Sequence, residues 1–245
     1  METTTENKSA GLIGLGAMGA GIAATLRRAG YHLHVCDARP GTASAFAAEG
    51  GTAHATPAEV AANSDVIVSV VVNAQQTEDV LFGANGAASA MKPGSVFIMC
   101  STVDPNWSIA LESRLGQLGI HYIDAPISGG AAKAASGQMT VMSSARPEAY
   151  ARAGALLDAM AGKVYRLGDQ AGAGSKVKII NQLLAGVHIA AAAEAMALGL
   201  REGVAAEALY EVITHSAGNS WMFENRMGHV LAGDYTPLSA VDIFV

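Results

Sequence analysis

Residues 11–19, Gly-Leu-Ile-Gly-Leu-Gly-Ala-Met-Gly, decide how the N-terminal part of the chain folds. Their last six residues, 14–19, match the pattern G-x-G-x-x-G. The apolar run 10–15 predicts a strand that enters the pattern, and residues 18–29 predict a helix that leaves it. Between a strand and a helix, such a pattern predicts a tight turn in which the last glycine lets the helix pack closely on the strand.

Strand and helix patterns alternate from this turn through the first 170 residues. The run 65–72, Asp-Val-Ile-Val-Ser-Val-Val-Val, is typical of a strand buried on both faces. This alternation predicts a Rossmann-type, doubly wound, mostly parallel sheet with helices on both faces. The remaining strands are predicted at residues 31–36, 95–99, 120–123, 139–143 and 163–166.

The C-terminal part has a different, helical character. Residues 175–201 and 205–216 predict helices, whereas 218–231 is mixed. We therefore expect a sheet domain at 1–170 and an all-helical domain at 171–245. The helical part is too small to bury its Ala-rich faces alone, which predicts a homodimer or homotetramer through these helices. The stretch 183–200 approaches membrane-span length, but its Ala, Gly and charged content favours a buried helix.

Composition excludes several classes of protein. Hydrophobic residues make up 51% and charged residues 15% of the 245 positions, which excludes disorder as the main state. A net charge of −6 without a Lys/Arg run argues against nucleic-acid binding. Two cysteines form no disulfide framework and no metal site is expected. The polar N-terminus does not resemble a signal peptide, so we expect a cytoplasmic protein without membrane contact.

The glycine turn and the second strand predict a dinucleotide site. The middle glycine lets a pyrophosphate approach, and the helix N-terminus offers free N–H groups to it. Asp37 ends the second predicted strand, where a carboxylate accepts hydrogen bonds from a ribose hydroxyl and favours NAD. Arg39 keeps NADP as the less favoured alternative. The predicted cofactor-binding residues are Gly14, Leu15, Gly16, Ala17, Met18, Gly19, Asp37, Arg39, Val72 and Thr102.

Two further turns follow predicted strands and are candidates for ligand contact. Ser128, Gly129 and Gly130 offer a hydroxyl and unhindered N–H groups, which suit a carboxylate. The alternative is a flexible turn. Thr102 follows the strand at 95–99 and either touches a ligand or caps the helix that begins near Asp104.

Lys178 is the candidate acid or base. Lys178, Asn181 and Gln182 are spaced i, i+3 and i+4, so they share one face of the predicted helix. A lysine in apolar surroundings has a lowered pKa, which suits proton transfer near neutral pH. The alternative is an ordinary surface lysine.

These motifs together resemble the β-hydroxyacid dehydrogenase family, the relatives of 3-hydroxyisobutyrate dehydrogenase. The resemblance spans essentially the whole chain and keeps the motifs in the family's order. The tail most resembles the branch of the family that oxidises L-threonate. The matching segments are 11–19, 101–103, 124–130, 137–140, 172–174 leading into Lys178, 220–226, 233–235 and 239–245.

The resemblance also implies roles and one departure. Lys178 falls on the family's general acid/base, Ser128 to Gly130 on its carboxylate-binding loop, and Thr102 on a threonine beside cofactor and substrate. The fourth position after the lysine, often Asn in the family, is Gln182 here and follows Asn181, so either amide is a candidate to orient the substrate. Family chains continue beyond the position of Val245, so the helical domain is expected to be incomplete.

The resemblance implies NAD-dependent oxidation of a small hydroxy acid, with L-threonate and its 2-keto acid as the expected pair. Two alternatives remain open. The same scaffold can serve as an NAD(P)H-dependent reductase of tartronate or succinic semialdehyde. Alternatively, a shortened chain binds the dinucleotide without catalysing a reaction.

Overall fold

The computed structural model describes residues 8–236. As predicted, these residues form a mostly parallel sheet flanked by helices, followed by a helical region. The strands are β1 (Ser9–Ile13), β2 (His32–Cys36), β3 (Thr52–Ala53), β4 (Val66–Ser69), β5 (Val96–Met99), β6 (His121–Asp124), β7 (Ile127–Ser128), β8 (Thr140–Ala145) and β9 (Lys163–Arg166).

The helices lie between and after these strands. They are α1 (Ala17–Arg28), α2 (Thr42–Ala48), α3 (Pro57–Ala62), α4 (Ala74–Phe82), α5 (Pro105–Gln117), α6 (Gly130–Ala135), α7 (Pro147–Ala159), α8 (Ala173–Arg201), α9 (Ala206–Thr214) and α10 (Trp221–Leu231). The last of these falls within the stretch that the sequence pattern left mixed. Ser220 begins α10 by accepting a hydrogen bond from the backbone of Phe223.

The sheet has the strand order β3-β2-β1-β4-β5-β6-β8-β7, with β9 paired to β8. Strands β1 to β6 run parallel, and the chain changes direction across the sheet between β1 and β4. Ligands bind at such a switch point, outside the carboxyl ends of the strands. Strand β8 is antiparallel to β6 and β7, an orientation that apolar periodicity alone does not reveal.

The central strands are buried on both faces, as the run 65–72 predicted. In β5, every residue from Val96 to Met99 is fully buried. Phe97 belongs to one core cluster and Ile98 to the other, because successive side chains of a strand point to opposite faces. The sheet therefore has an apolar core on each side and is a rigid base for the loops at its edge.

The described chain divides after Lys178 into two compact units. The first contains the sheet and its helices and extends to the first turns of α8. The second is helical. The domain boundary predicted at 170/171 stays a prediction: α8 begins just after it, at Ala173, and runs without a break across the division at Lys178.

The second unit has a small core of its own. Its buried residues are Ala192, Met196, Phe223 and Met227. Tyr210 stacks on Phe223 with ring centroids 5.9 Å apart. Such a small core covers only part of the helical surface.

Much of α8 is exposed in the single chain. Leu183 is 67% and Ile180 is 59% exposed, and of residues 183–200 only Ala185, Ala192 and Met196 are buried, so most of the burial predicted for this stretch is not found within the described residues. By length and composition alone, α8 could cross a membrane, and 17% of its apolar 18-residue window is buried. One such helix is weak evidence for a membrane span.

Close packing of α1 against α6 yields a stability prediction. A Cβ at Gly21 would lie 2.6 Å from the backbone nitrogen of Ala135, whereas one at Gly116 of α5 would meet nothing within 4 Å. We expect Gly21→Ala to lower the free energy of unfolding by about 1–3 kcal/mol through overpacking. The matched control, Gly116→Ala, should raise it by roughly 0.5–1 kcal/mol. Urea titrations measure both, and equal effects of the two variants would contradict this packing.

Candidate active site

Five neighbouring strands of the sheet end level with one another. In the strand register, the last paired residues are Cys36, Ile13, Ser69, Met99 and Asp124. The loops that follow these strands therefore leave the sheet at one edge. Those loops carry the glycine turn, Asp37, Val72, Thr102 and the segment 125–130.

The glycine turn joins β1 to α1 and leaves the helix N-terminus open. Gly14 has a φ of +95°, and a Cβ there would lie 2.5 Å from the carbonyl oxygen of Val70. A Cβ at Gly19 would overlap the carbonyl of Gly14, whereas one at Gly16 would meet nothing within 4 Å. Gly16 begins α1 without a side-chain cap or an acidic residue in the first turn. An uncapped helix start of this kind suits an anion such as a pyrophosphate.

Asp37 links the second strand to the glycine turn. Its Oδ2 accepts a hydrogen bond from the Leu15 backbone at 2.6 Å, and its Oδ1 accepts one from Arg39 Nε at 2.9 Å. Arg39 Nη2 also donates to the carbonyl of Leu15 at 2.9 Å. Burial opposes ionisation of Asp37, but these hydrogen bonds outweigh it and hold the pKa of the carboxyl below its ordinary value. The Arg39 guanidinium is thus engaged by Asp37.

Two neighbouring loops are tied together beside Thr102. Ser101 Oγ donates to the carbonyl of Val71 at 2.8 Å and lies 3.0 Å from Thr77 Oγ1. The alternative role for Thr102, capping α5, is wrong, because Asp104 provides that cap by accepting from the backbone of Asn106. Val72 is 47% exposed at the same edge, and ligand contact by it and by Thr102 stays a prediction.

The segment Ser128 to Gly130 forms a turn with restricted backbone geometry. Ser128 pairs with Thr140 in the sheet, and Gly129 and Gly130 have φ values of +133° and +76°. Side chains disfavour both conformations, so glycine is required at each. The turn leads into α6, which is attached to α1 through the hydrogen bond from Thr25 Oγ1 to the carbonyl of Ala134. Carboxylate binding by this turn stays a prediction.

The buried carboxylate of Asp124 holds the start of α8, and no role was predicted for it. Asp124 Oδ2 accepts from the backbones of Gly172 and Ser175, each at 2.9 Å, and Oδ1 accepts from Ser175 Oγ at 2.7 Å. Ser144 Oγ donates to Oδ2 at 3.3 Å and accepts from the Gly174 backbone at 2.9 Å. Burial raises the pKa of Asp124, and these hydrogen bonds partly oppose the rise. The signal in the sequence was a carboxylate that ends an apolar strand.

Lys178 lies three residues beyond Ser175 on the same helix. The residue is only 7% exposed, and burial lowers the pKa of its amine from 10.5 to about 8. Within residues 8–236 it makes no ion pair with a carboxylate. The alternative of an ordinary surface lysine is therefore wrong. An amine with this pKa is a usable acid and base near neutral pH.

The two predicted amide residues lie on the part of α8 that belongs to the second unit. Asn181 Nδ2 donates to Gln182 Oε1 at 3.3 Å. Their proposed contact with substrate stays a prediction. No group of three or more His, Cys, Asp or Glu side chains that could hold a metal ion occurs among the described residues.

Two family models match the chain. One describes the NAD-binding domain of 6-phosphogluconate dehydrogenase and matches residues 9–168. The other describes an NAD-binding region of NADP-dependent 3-hydroxyisobutyrate dehydrogenase and matches residues 172–245. The second match includes residues 237–245, which lie outside the described part of the chain, as does the predicted tail segment 239–245. Both models describe dehydrogenases, and the chain is an NAD-binding oxidoreductase.

Several curated proteins and solved structures are similar over nearly the whole chain. An L-threonate dehydrogenase from Cupriavidus necator is 65% identical over 98% of this chain and 80% of its own length. The Escherichia coli K12 L-threonate dehydrogenase is 48% identical over 96% of this chain and 78% of its own. A crystal structure of a 3-hydroxyisobutyrate dehydrogenase from Salmonella typhimurium has 51% identity and a TM-score of 0.91, covering 97% of this chain and 83% of that one.

The chain thus has level strand ends, an open glycine turn and a buried lysine. The two family models match it one after the other, over residues 9–168 and 172–245. The chain belongs to the β-hydroxyacid dehydrogenase family, the NAD-binding dehydrogenases related to 3-hydroxyisobutyrate dehydrogenase.

Proposed function

We propose that this chain oxidises L-threonate to its 2-keto acid with NAD, and that Lys178 acts as the general base. The observation that carries the proposal is the buried amine of Lys178, with a pKa of about 8, on a helix start fixed at the ligand-binding edge of the sheet. The similar proteins named L-threonate dehydrogenase support this substrate.

The proposed step removes a proton from the substrate hydroxyl and a hydride from the carbon that bears it. Neutral Lys178 accepts the proton of the substrate hydroxyl while the C–H electron pair leaves as hydride. Bound NAD supplies the hydride acceptor. Ser128, Gly129 and Gly130 hold the substrate carboxylate with a hydroxyl and backbone N–H groups. Thr102 and one of the two amides on α8, Asn181 or Gln182, orient the alcohol.

The proposed selection of NAD over NADP rests on Asp37. In the proposed complex its carboxylate accepts hydrogen bonds from the ribose hydroxyls and would repel a 2′-phosphate. Arg39 does not relieve this repulsion, since its guanidinium already donates to Asp37 and to the carbonyl of Leu15. We therefore assign the ribose to Asp37 and the pyrophosphate to the turn at Gly14 to Gly19.

The proposed assembly is a homodimer or homotetramer through the C-terminal helices. Helix α8 exposes apolar side chains around most of its circumference, including Leu183, Leu184 and Val187. An exposed apolar surface of this kind marks an interface in soluble proteins.

We also place the enzyme in the cytoplasm, which fits the buried, unpaired state of Cys36 and Cys100.

Substitution of Lys178 tests the proposed reaction. We expect Lys178→Met to lower kcat/KM for L-threonate by about 10²- to 10⁴-fold, because the general base is lost, while NADH binding is retained. The exposed neighbour Lys176 offers the matched control Lys176→Met, which should keep wild-type turnover. NADH formation measures turnover, and NADH fluorescence measures binding.

The pH dependence of the same assay gives the direction of the proton transfer. Only the neutral amine accepts a proton, so wild-type kcat/KM for oxidation should rise with pH and reach half its plateau near the Lys178 pKa of about 8.

Near-normal turnover by Lys178→Met would contradict the proposal. Turnover only of semialdehydes with NADH would indicate a reductase, and NADH binding without any turnover would indicate a binding chain alone.

Substitution of Asp37 tests cofactor selection. We expect Asp37→Ala to weaken NADH binding by about 10- to 100-fold, since a hydrogen bond to a charged group is lost. NADPH binding should strengthen, because Arg39 becomes available to the phosphate. Asp65 is exposed just before β4, at the opposite edge of the sheet, so Asp65→Ala is the control and should change neither affinity. An unchanged preference in Asp37→Ala, measured by fluorescence titration, would overturn this assignment.

A charge on α8 tests the assembly. Analytical ultracentrifugation should give a mass of two or four chains for the wild type and of one chain for Leu183→Glu, because a buried unpaired charge opposes association. Leu118 is 48% exposed in the first unit, and the control Leu118→Glu should leave the mass unchanged. A monomeric wild type would contradict the proposed interface.

A further inference from the structure

The geometry points to a positioning role for Asp124: its carboxylate fixes the first turn of α8 and thereby keeps the amine of Lys178 buried in the site. This inference rests on the proposed function, in which that amine is the general base. Asp124 touches neither substrate nor cofactor in the proposed reaction. It acts on the reaction through the helix that carries Lys178.

Asp124 is fully hydrogen-bonded to the elements around it. Its four partners, Gly172 N, Ser175 N, Ser175 Oγ and Ser144 Oγ, are all donors, and the residue has no exposed surface. A buried carboxylate is tolerated only with such compensation. The backbone N–H groups at a helix start likewise need acceptors. Removal of the carboxylate would leave two backbone donors, those of Gly172 just before α8 and Ser175 in its first turn, buried without this acceptor.

Ser175 and Lys178 lie on the same face of α8, so the position of one determines the position of the other. Residues three apart lie on one helix face, and both are buried, at 1% and 7% exposure. Lys176 and Val177 between them are exposed. A rotation or lift of the first turn would therefore move Lys178 together with Ser175. An amine displaced toward water would regain its hydration and its ordinary basicity.

The start of α8 is packed against the sheet without free space between them. A Cβ at Gly174 would lie 3.0 Å from the carbonyl oxygen of Asp124 and closer still to that of Met142. The backbone of α8 thus rests directly on the end of β6 and on the middle of β8. The neighbouring turn is held as well, because Glu112 Oε2 accepts from the Ala171 backbone at 3.4 Å. A change at Asp124 acts on a tightly packed contact.

The proposed role is geometric because burial is the cause that lowers the Lys178 pKa. Three titratable groups near Asp124 ionise above pH 8, so they would not contribute to a titration of the Lys178 amine near that pH. Burial first, and the Asp124 charge second, raise the pKa of the Cys100 thiol to about 12 and that of the Tyr122 phenol well above its ordinary value. Burial also raises the pKa of Tyr150.

The experiment compares Asp124→Ala, Asp124→Asn and Ser175→Ala with the wild type. Ser143→Ala is the matched control, because Ser143 is an equally buried serine adjacent to Ser144 on β8 that bonds instead to Tyr165 and Tyr150. Competitive acetylation of the full chain, read by peptide mass spectrometry across pH, gives the titration midpoint of the Lys178 amine without requiring activity. NADH affinity, KM and kcat for L-threonate are measured alongside.

For Asp124→Ala we expect the Lys178 midpoint to rise by about one pH unit or more toward its ordinary value. We expect kcat to fall by about 10- to 100-fold, with NADH affinity unchanged, because misplacement of a reacting group has costs of this size. Asp124→Asn should keep the wild-type midpoint and most of kcat, since the carboxamide still accepts from the backbone of α8 and can donate to Ser175 Oγ. Ser175→Ala should be intermediate, and Ser143→Ala should leave the midpoint unchanged.

An unchanged Lys178 titration midpoint and an unchanged kcat in both Asp124→Ala and Ser175→Ala would overturn the positioning role. If Asp124→Ala does not fold, the result for Ser175→Ala decides. An Asp124→Asn variant as impaired as Asp124→Ala would also overturn it, because the charge rather than the geometry would then matter. Normal turnover by Lys178→Met would instead refute the proposed function, while the labelling midpoint would still report on positioning.

Discussion

The start of helix α8 depends on one buried carboxylate, and the candidate site depends on the start of α8. Away from water, the oxygens of Asp124 and the backbone N–H groups of Gly172 and Ser175 are each unfavourable without a partner. Both N–H groups donate to Asp124 at 2.9 Å, and the Ser175 hydroxyl adds a third hydrogen bond at 2.7 Å. This interaction brings a helix down onto the edge where the parallel strands end, and Lys178 lies one turn further along it.

Steric limits at the glycine turn between β1 and α1 are equally strict. The turn at Gly14 has a positive φ, and side chains at Gly14 or Gly19 would meet the backbone of Val70 or of Gly14. The helix start at Gly16 is therefore close to the strand and free of side chains. Asp37 then holds the turn through the Leu15 backbone and engages Arg39. One edge of the sheet thus combines an open helix start with a buried amine.

Much of this arrangement could be predicted from the sequence because it depends on local patterns. Continuous apolar runs indicated the buried strands, and the glycine pattern at 14–19 indicated the turn that joins β1 to α1. The burial of Lys178 was only one of two alternatives, since it depends on contacts between distant segments. The antiparallel direction of β8, the role of Asp124 and the exposure of α8 also depend on tertiary contacts, for which neighbouring residues carry no periodic signal.

The central claim, that folding buries the amine of Lys178, is tested most directly by urea unfolding of the wild type and Lys178→Met as a function of pH. Burial lowers the pKa of this amine from 10.5 to about 8, so the unfolded chain binds more protons between these pH values and stability should rise with pH there. The wild type should gain about 1–3 kcal/mol relative to Lys178→Met across this interval. Parallel stability curves for the two proteins would contradict the account.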